Sequence, residues 1–268
     1  MPDTSVKDSE KSIEKIAEKQ MTVLITGASG GFGLEYAKQI EPQGYRLILH
    51  GRDKPRLQMT LDSLKHPERH SMILADLNMK NGVSTLLEAV RCETLVGLVN
   101  NAGFGIWGAF EKTGIVPQID VIKTDLKAPI ELTHALLPRL LKNNGFVINV
   151  SSLAGEAPLP YMSTYAAAKA GLTFWSEALR SELEGKLRIV TLAPGPSPTG
   201  FRDVSGMPSG PGSFFRTSIA TIVEASLETL NAGGGYCVPG WRHKLLFTLQ
   251  KITPRTTALR LMKKHLHP

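Results

Sequence analysis

The sequence predicts a single-domain α/β fold, a doubly wound parallel sheet of about seven strands with helices on both faces. One observation is the regular alternation of short β-rich runs with segments of helical periodicity along residues 21–240. A second is that these runs are almost continuously apolar, as expected for strands that are covered on both faces. In such sheets ligands bind beyond the carboxyl ends of the strands, so we expect the functional residues directly after the runs.

The predicted strands leave room for a helix between most of them. They are Thr22–Ile25, Arg46–Leu49, Ser71–Leu74, Leu95–Val99, Phe146–Val150, Arg188–Leu192 and Tyr236–Val238. Two further regions flank this domain, a charged N-terminal arm at 1–20 and a basic amphipathic tail at 241–268.

Composition places the chain among ordinary globular proteins. With 268 residues and 42% hydrophobic content, it can bury about 75% of its unfolded surface. No apolar run reaches the ~18 residues of a membrane span, and the N-terminus lacks the apolar stretch of a signal peptide. Cys92 and Cys237 fit no metal or redox spacing, and the histidines show no ligand spacing, so we expect no metal site. Two unpaired thiols suit a cytoplasmic protein.

The first predicted strand runs directly into a glycine-rich turn at 26–33, TGASGGFG, and a helix follows. Glycines let a backbone turn tightly and approach a pyrophosphate, and a helix N-terminus offers free N–H groups. The turn lacks the literal GxGxxG spacing, and a turn without a ligand is the alternative. Its position after the first strand favours dinucleotide binding. The candidate contacts are Gly27, Ser29, Gly31, Phe32 and Gly33.

The residues after the second and third strands bear on which dinucleotide is bound. An Asp or Glu after the second strand would bond the ribose 2′-hydroxyl of NAD, but Arg52 stands in that region instead. A basic residue suits a 2′-phosphate, so the sequence favours NADP(H) over NAD(H), with a solvated surface arginine as the alternative. Asp76 and Leu77 follow the third strand and are placed to meet the adenine. A position near a helix N-terminus is an equally consistent interpretation of Asp76.

Small and polar residues follow the fourth and fifth strands. Asn101, Ala102 and Gly103 after the fourth strand would let a flat ring system lie on the backbone. Ser152 comes after the fifth strand, where its hydroxyl would be able to hold a substrate carbonyl. Ordinary turn chemistry is the alternative for a serine at a strand end.

Tyr165 and Lys169 carry the candidate proton-transfer chemistry. Side chains four apart on a helix share one face, with about 5–6 Å between their Cβ atoms. Free tyrosine ionises at about pH 10, whereas a fixed ammonium group beside it favours the phenolate. The spacing therefore predicts that Lys169 lowers the pKa of Tyr165 and makes it a usable general acid/base at neutral pH.

Together these motifs resemble the short-chain dehydrogenase/reductase superfamily, in its classical form with the shorter cofactor loop. The resemblance covers about residues 20–240, and the motifs occur in the family's order and spacing. They are TGASGGFG at 26–33, NNAG at 100–103, SS at 151–152, YAAAK at 165–169 and PGPSPT at 194–199. The resemblance implies a Rossmann fold and a homodimer or homotetramer, paired through long helices around 117–142 and 163–184.

The resemblance also implies a role for each matching residue. Tyr165 would donate a proton to the substrate carbonyl, or remove it in the reverse direction, and Ser152 would bond the carbonyl oxygen. Lys169 would lower the pKa of the tyrosine and hold the nicotinamide ribose. The cofactor contacts would also include Tyr165, Asn101, Ala102, Gly103, Pro194, Gly195 and Thr199, the last of them at the nicotinamide carboxamide.

One residue departs from the family's pattern. The family has an asparagine in a stretch like Asn-x-x-Gly/Ala-Pro, and Asp125 stands at that place before Pro129. In the family this asparagine supports a helix distortion and a water that connects the lysine to solvent. An ionised aspartate accepts hydrogen bonds but cannot donate them, and it adds negative charge near Lys169. We therefore place Asp125 in the catalytic group and expect activity that is reduced or pH-shifted rather than absent.

The substrate side is predicted to be apolar. A loop at 196–215, rich in Pro, Gly and Ser, resembles the family's mobile substrate lid. The candidate walls are Phe201, Val204, Met207, Phe214 and Phe215 in this loop, and Phe104, Ile106, Trp107, Leu153, Leu159 and Tyr161 elsewhere. Such a pocket fits a hydrophobic, lipid-like carbonyl compound or alcohol. The alternative is that several of these residues pack the core or a subunit contact.

The tail at 241–268 holds seven of the 31 basic residues and no acidic residue, so it carries the whole net charge of +7. Pro254 is expected to divide it into two short helices. Packing on the body or on a partner subunit is the first interpretation, and contact with an anionic membrane surface is the second. Nucleic-acid binding is not expected, because no nucleic-acid motif accompanies the charge.

The sequence thus predicts an NADP(H)-dependent oxidoreductase that interconverts a carbonyl and an alcohol. Its expected location is the cytoplasm, with membrane association left open. A cofactor-sensing binding protein with little turnover is one alternative, and Asp125 is its only support. The other alternative is a protein that docks on a membrane or a partner through its tail.

Overall fold

The structure is a computed structural model, and it describes residues 20–207 and 216–267. Except for Gln20, the predicted N-terminal arm lies outside the described residues. So do residues 208–215 of the predicted lid, with Phe214 and Phe215, and the last residue of the tail.

A seven-stranded parallel sheet forms the centre of the molecule, in the order β3-β2-β1-β4-β5-β6-β7. The strands are β1 Met21–Ile25, β2 Arg46–Gly51, β3 Ser71–Leu74, β4 Thr94–Asn100, β5 Phe146–Val150, β6 Arg188–Leu192 and β7 Gly235–Cys237. The predicted doubly wound fold is confirmed. The last strand begins and ends one residue earlier than predicted, because Gly235 pairs with Val190 and so joins the ladder of β6.

Helices cover both faces of the sheet. They are α1 Gly31–Ile40, α2 Lys54–Asp62, α3 Gly82–Ala89, α4 Ile115–Ile122, α5 Ala128–Lys142, α6 Ser163–Glu182, α7 Phe201–Ser205, α8 Ile219–Asn231, α9 Gly240–Ile252 and α10 Arg255–Leu266. Alternate residues of β1 show how the two layers form. Val23 and Ile25 pack in one core with Tyr36 of α1, whereas Leu24 packs in the other core with Leu132 of α5. Each such buried side chain stabilises the fold by roughly 1.5–3 kcal/mol.

The order of the strands creates the place for a ligand. After β3 at one edge the chain returns to the centre, and β4 pairs with β1 on the side opposite to β2. The connections that leave the carboxyl ends of β1 and β4 therefore run to opposite faces and open a crevice between them.

One turn of π-helix, Lys123–Lys127, joins α4 to α5 without a break. Such a turn widens a helix locally and is frequent at functional sites. Asp125 lies within it and is fully buried. The helix distortion that the resemblance implied at this residue is therefore present although the residue is an aspartate.

The tail folds into α9 and α10, separated at Pro254 as predicted. It packs on the body of the same chain. Gln250 donates a hydrogen bond from Nε2 to the carbonyl of Leu153 at 3.3 Å, and Trp107 donates from Nε1 to the carbonyl of Leu266 at 2.9 Å. Among the described residues, no helix combines the length and apolarity that crossing a bilayer requires.

Candidate active site

A cleft of about 560 Å³ lies at the carboxyl ends of the central strands. It brings together the proposed catalytic residues Ser152, Tyr165, Lys169 and Asp125. All the predicted cofactor contacts except Gly33 line it as well: Gly27, Ser29, Gly31, Phe32, Arg52, Asp76, Leu77, Asn101, Ala102, Gly103, Pro194, Gly195 and Thr199. Residues that are far apart in the sequence thus converge on one crevice, as a parallel sheet requires.

Gly33 lies beneath the glycine-rich turn rather than on the wall of the cleft. A side chain there would collide with the carbonyl oxygen of Gly27. Gly27 has φ +65°, and a Cβ on it would lie 2.7 Å from the Cα of Ala102. Both positions therefore need glycine for close packing of the turn against the end of β4.

A hydrogen-bond network fixes the turn after β1 to the end of β4. Asn101 donates from Nδ2 to the carbonyls of Thr26 and Gly27, at 2.9 and 3.0 Å. The hydroxyl oxygen of Thr26 accepts hydrogen bonds from the backbone N–H groups of Asn101 and Ala102, both at 3.0 Å. Hydrogen bonds within the chain thus hold the floor of the cleft together.

His50 lines the cleft and was not singled out from the sequence. Its Nε2 lies 3.1 Å from the carbonyl oxygen of Ala75, and its Nδ1 accepts a longer hydrogen bond, 3.5 Å, from the N–H of Gly27. Burial lowers the pKa of His50 to about 4, so the ring is neutral at physiological pH. A neutral ring with its proton on Nε2 satisfies both contacts, and His50 therefore supports the turn rather than carrying charge.

Two arginines stand at the end of the cleft near β2. Arg52 lies with its guanidinium 5.8 Å from the centre of the Phe104 ring. Arg56 was missed in the sequence, although it is in the first turn of α2. Asp53 caps this helix by accepting the N–H of Arg56 at 3.1 Å, and an added Cβ on Gly30 would lie 3.3 Å from Arg56 Nη2. The Arg56 side chain therefore reaches the glycine-rich turn.

Asp76 lines the cleft but does not cap the next helix. Its Oδ1 accepts a hydrogen bond from the N–H of Asn78 at 3.0 Å, which forms a local turn. The residue that precedes α3 is Asn81. The carboxylate of Asp76 is therefore held at the wall of the cleft by its own loop.

Tyr165 and Lys169 face the same way from α6, as their spacing predicts. Lys169 Nζ lies 5.8 Å from the centre of the Tyr165 ring and donates to the carbonyl of Val150 at 2.8 Å. It also forms an ion pair with Asp125 Oδ2 at 3.2 Å. Both side chains of this pair are buried, so solvent screens their interaction little.

The pKa of Tyr165 is raised in the structure, which is opposite to the direction that the Tyr–Lys spacing predicts. The spacing of the two residues predicts that Lys169 lowers the pKa of Tyr165. Burial raises that pKa well above its usual range, the carboxylate of Asp125 raises it further, and a hydrogen bond with Ser152 opposes the rise. The pKa of Tyr165 is raised chiefly because the phenol is buried, and in addition because the Asp125 carboxylate, which pairs with Lys169, lies beside it.

Asp125 also holds the backbone at the end of β4. Its Oδ1 accepts a hydrogen bond from the N–H of Phe104 at 3.0 Å. A Cβ on Gly103 would lie 2.8 Å from Asp125 Oδ2 and 3.2 Å from Lys169 Nζ, so a glycine is needed where the pair packs. Burial raises the pKa of the Asp125 carboxyl, while the charge of Lys169 opposes this rise.

The other end of the cleft is apolar, as predicted. Phe201 packs against Tyr165 with 5.0 Å between ring centres. The predicted wall residues that line the cleft are Phe104, Leu153, Leu159, Phe201, Val204 and Met207. Ile106 and Trp107 pack in the cluster behind Tyr165, and Tyr161 contacts the ring of His267. These three residues therefore serve packing, which was the alternative interpretation for them.

Helix α9 supplies wall residues that the sequence did not reveal. Leu246 and Gln250 line the cleft, and Leu246 packs against the cluster of Leu153, Ala193 and Val238. No motif or spacing in the tail signals this contact, because it depends on how the tail returns over the sheet.

His243 joins α9 to the segment that holds the predicted nicotinamide contacts. Its ring is fully buried, and Nδ1 accepts a hydrogen bond from the N–H of Gly195 at 3.1 Å. Nε2 lies 3.3 Å from the carbonyl oxygen of Pro196. A Cβ on Gly195 would lie 2.6 Å from the His243 ring, so the ring packs directly on this glycine. The tail is thus part of the framework of the cleft.

Known proteins are similar to this chain in sequence and in fold. Ketoacyl reductase HetN of Nostoc sp. is 32% identical over 181 residues, which span 65% of this chain and 62% of that protein. The uncharacterized oxidoreductase YbbO of Escherichia coli K12 is 33% identical over 189 residues, which span 69% of this chain and 68% of that protein. The chain therefore matches about two thirds of the length of these relatives.

Solved structures extend the match over most of the chain. A short-chain dehydrogenase from Sphingobium yanoikuyae in complex with NADPH is 27% identical with a TM-score of 0.74, over 86% of this chain and 93% of that one. A bulky-bulky ketone specific alcohol dehydrogenase from Comamonas testosteroni is 26% identical with a TM-score of 0.72, over 87% and 93%. The profile of the short chain dehydrogenase family matches residues 21–206, the region that contains β1 to β6 and the Tyr165–Lys169 pair. The chain is therefore a member of the short-chain dehydrogenase family and has its oxidoreductase fold.

Proposed function

We propose that this protein is an NADP(H)-dependent oxidoreductase that interconverts a hydrophobic carbonyl compound and its alcohol. The observation that carries the proposal is the convergence of Ser152, Tyr165 and Lys169 in one cleft with the glycine-rich turn. The turn fits a dinucleotide, because Gly27 and Gly31 have positive φ and leave backbone where side chains would otherwise stand. The Sphingobium relative, with NADPH in its structure, supports the same assignment.

In the proposed reaction the cofactor, when bound, supplies or accepts the hydride. The chain's own residues orient the substrate and move the proton. Ser152 is placed to bond the substrate oxygen, and its own Oγ accepts the N–H of Ala154 at 3.1 Å, which fixes its orientation. Tyr165 would give its phenolic proton to that oxygen in reduction. The raised pKa of Tyr165 keeps this proton on the phenol at neutral pH, but it also makes the phenol a weaker proton donor than one whose pKa lies near the working pH.

NADP(H) is the proposed cofactor because two arginines, Arg52 and Arg56, lie where its extra phosphate would bind. Both line the cleft near β2 and the glycine-rich turn, where a ribose phosphate of the dinucleotide would lie. Guanidinium groups bind phosphate through paired, charge-assisted hydrogen bonds. Asp53 lines the same end of the cleft, and its carboxylate caps α2 by accepting the N–H of Arg56.

Removing these arginines is expected to weaken the binding of NADPH much more than that of NADH. Each charge-assisted hydrogen bond contributes about 1.5–3 kcal/mol, so Arg52→Ala and Arg56→Ala should each raise the Kd of NADPH roughly 10–100-fold. Fluorescence titration with both cofactors measures the effect. Lys65→Ala, which removes an exposed charge beyond the end of α2, is the matched control. Tighter binding of NADH than of NADPH by the unaltered protein would contradict the preference.

The substrate is proposed to be hydrophobic because the wall opposite the arginines is apolar and continues into α9. Replacing Leu246 by alanine shortens a side chain of this wall and so enlarges the pocket. One methylene more or less in an apolar pocket changes kcat/KM about 10-fold or more. We expect the variant to gain activity on bulky ketones relative to small ones, as kcat/KM over a graded ketone series would measure. Leu245→Ala, on the exposed side of the same helix, is the control. An unchanged series in the Leu246 variant would remove α9 from the substrate site.

Catalysis itself is tested by a screen of ketones and aldehydes of varied chain length with NADPH. Oxidation of NADPH that depends on an added carbonyl compound supports the proposal. Binding of NADPH without turnover on any compound would favour a cofactor-sensing protein instead. The specific observation in favour of that second function is the Asp125–Lys169 pair, which removes the net positive charge beside Tyr165.

A homodimer or homotetramer is part of the same proposal. Large apolar side chains are exposed on α4 and α6, the helices that the resemblance assigns to subunit pairing. Phe174 of α6 is 75% exposed, and Ile115 and Val116 of α4 are more than half exposed. Burial of such side chains favours association of two copies.

A further inference from the structure

Helix α9 has an inner face that contacts the body and an outer face that carries exposed apolar side chains. The inner face carries His243, Leu246 and Gln250, which pack on the body or line the cleft. The outer face carries Leu245, Leu249 and Ile252 at helical spacing, here called the α9 stripe. These three side chains are 42%, 43% and 70% exposed. A helix that only packed on the body would present polar residues on this outer face.

The orientation of the α9 stripe is fixed by the contacts of the inner face. His243 is held by Gly195 and Pro196, and Gln250 bonds the carbonyl of Leu153. Lys251 forms an ion pair with Glu156 at 2.9 Å. Because these contacts lie along the helix, α9 cannot turn its outer leucines inward without breaking them.

The segment that contains the α9 stripe is rich in basic residues and has no acidic residue. Residues 241–268 contain seven Lys and Arg and no Asp or Glu. Lys244 is exposed in α9, and Arg255, Arg260, Lys263 and Lys264 are exposed in α10. Trp241 lies at the start of the stripe with the Arg242 guanidinium 5.4 Å from its ring. Exposed apolar residues with basic neighbours are the pattern of a helix that lies on an anionic bilayer.

We propose that the α9 stripe and the basic residues of α9 and α10 dock this protein on the surface of an anionic lipid bilayer. The apolar side chains would enter the boundary of the acyl chains, while the lysines and arginines would meet the lipid phosphates. The same helix lines the cleft with Leu246 on its inner face, so docking would place the substrate wall within one helix diameter, ~10 Å, of the lipid. That last step, unlike docking itself, rests on the proposed function.

Other partners fit this surface less well. A second copy would bring two segments of seven positive charges together, which like-charge repulsion disfavours. A nucleic acid would account for the charge but not for the exposed leucines, since phosphate contacts need no apolar stripe. The bilayer is the partner that uses both features of the surface.

Sedimentation of the full chain with vesicles tests the proposal. Vesicles of phosphatidylcholine with phosphatidylglycerol should bind the protein, and vesicles of phosphatidylcholine alone should bind it at least 10-fold more weakly. Added salt should weaken the binding, because screening reduces attraction to the lipid phosphates. Leu249→Glu should lower the partition coefficient at least 10-fold. Met59→Glu, which makes the same change at an exposed methionine of α2, should leave it unaltered.

Further measurements separate a loss of lipid binding from misfolding, loss of a dimer or binding of RNA. NADPH affinity should be equal in Leu249→Glu and the unaltered protein, which shows that the variant is folded, and the vesicle assay needs no turnover. Equal binding to both vesicle types, or equal loss in both Glu variants, would overturn the proposal. So would dissociation of a dimer by Leu249→Glu in analytical ultracentrifugation without any vesicle binding, or binding of RNA but not of anionic vesicles.

Discussion

Replacing Tyr165 by phenylalanine is expected to lower kcat for carbonyl reduction by about 10²–10⁴-fold, the usual contribution of a positioned general acid. The change removes one oxygen atom and keeps the ring that packs against Phe201. The affinity for NADPH should therefore stay within about twofold, since hydrogen bonds of the dinucleotide turn are untouched. Steady-state kinetics with NADPH, and a fluorescence titration of the cofactor, measure the two quantities.

The matched control is Tyr45→Phe. Tyr45 packs edge-on against Phe146, with 6.5 Å between ring centres, and does not line the cleft. Its loss of a hydroxyl should leave kcat unchanged. If Tyr165→Phe kept the rate of the unaltered protein, the proton would have to come from another group, and the proposed mechanism would be wrong.

The positions of the site residues could be predicted from the sequence because the fold itself determines them. Parallel strands end at one edge of the sheet, so Gly27, Arg52, Asn101 and Ser152 had to converge once their strands were identified. Apolar runs bounded by turn residues are a strong signal, and β1 to β6 were found within two residues. The pairing of Tyr165 with Lys169 followed from helical spacing alone.

The sign of the electrostatic effect on Tyr165 could not be predicted in the same way. Spacing shows that Lys169 is near, and the resemblance places the charge of Asp125 near Lys169, but neither gives the ion pair at 3.2 Å. The desolvation of Tyr165 is likewise a property of the packed site and not of the motif. Arg56, His50 and Leu246 were missed for a related reason, since each reaches the cleft through tertiary contacts that no short pattern records.

Substitution of Asp125 by asparagine is expected to move the pH dependence of the reaction to lower pH by about one unit or more. Asp125 raises the pKa of Tyr165, and its neutralisation also leaves the charge of Lys169 unbalanced beside the phenol. Both changes favour the phenolate, so the pKa of Tyr165 falls. Oxidation of the alcohol, which needs the phenolate as base, should then rise at a lower pH. Reduction, which needs the phenol as acid, should decline from a lower pH.

The asparagine variant is expected to fold, because its side-chain oxygen can still accept the N–H of Phe104, as Asp125 Oδ1 does at 3.0 Å. Asparagine is also the residue that the family's pattern has at this place. The charged groups that face Tyr165 among the described residues are Lys169 on its own helix and Asp125 on the π-helical turn. Ser152 contributes a hydroxyl and Phe201 an uncharged ring.

Two measurements read the shift independently. One is the pH profile of kcat in both directions, and the other is the tyrosinate absorbance on titration, with Tyr165→Phe as the blank. Asp120→Asn is the matched control, because Asp120 precedes the same π-helical turn and pairs with Lys123 near the surface at 3.0 Å. Solvent screens that pair, so its loss should leave the profile in place. A profile that stays in place in Asp125→Asn as well, or moves to higher pH, would show that Asp125 does not set the charge felt by Tyr165. The control and the variant together therefore separate the buried carboxylate from a general change of surface charge.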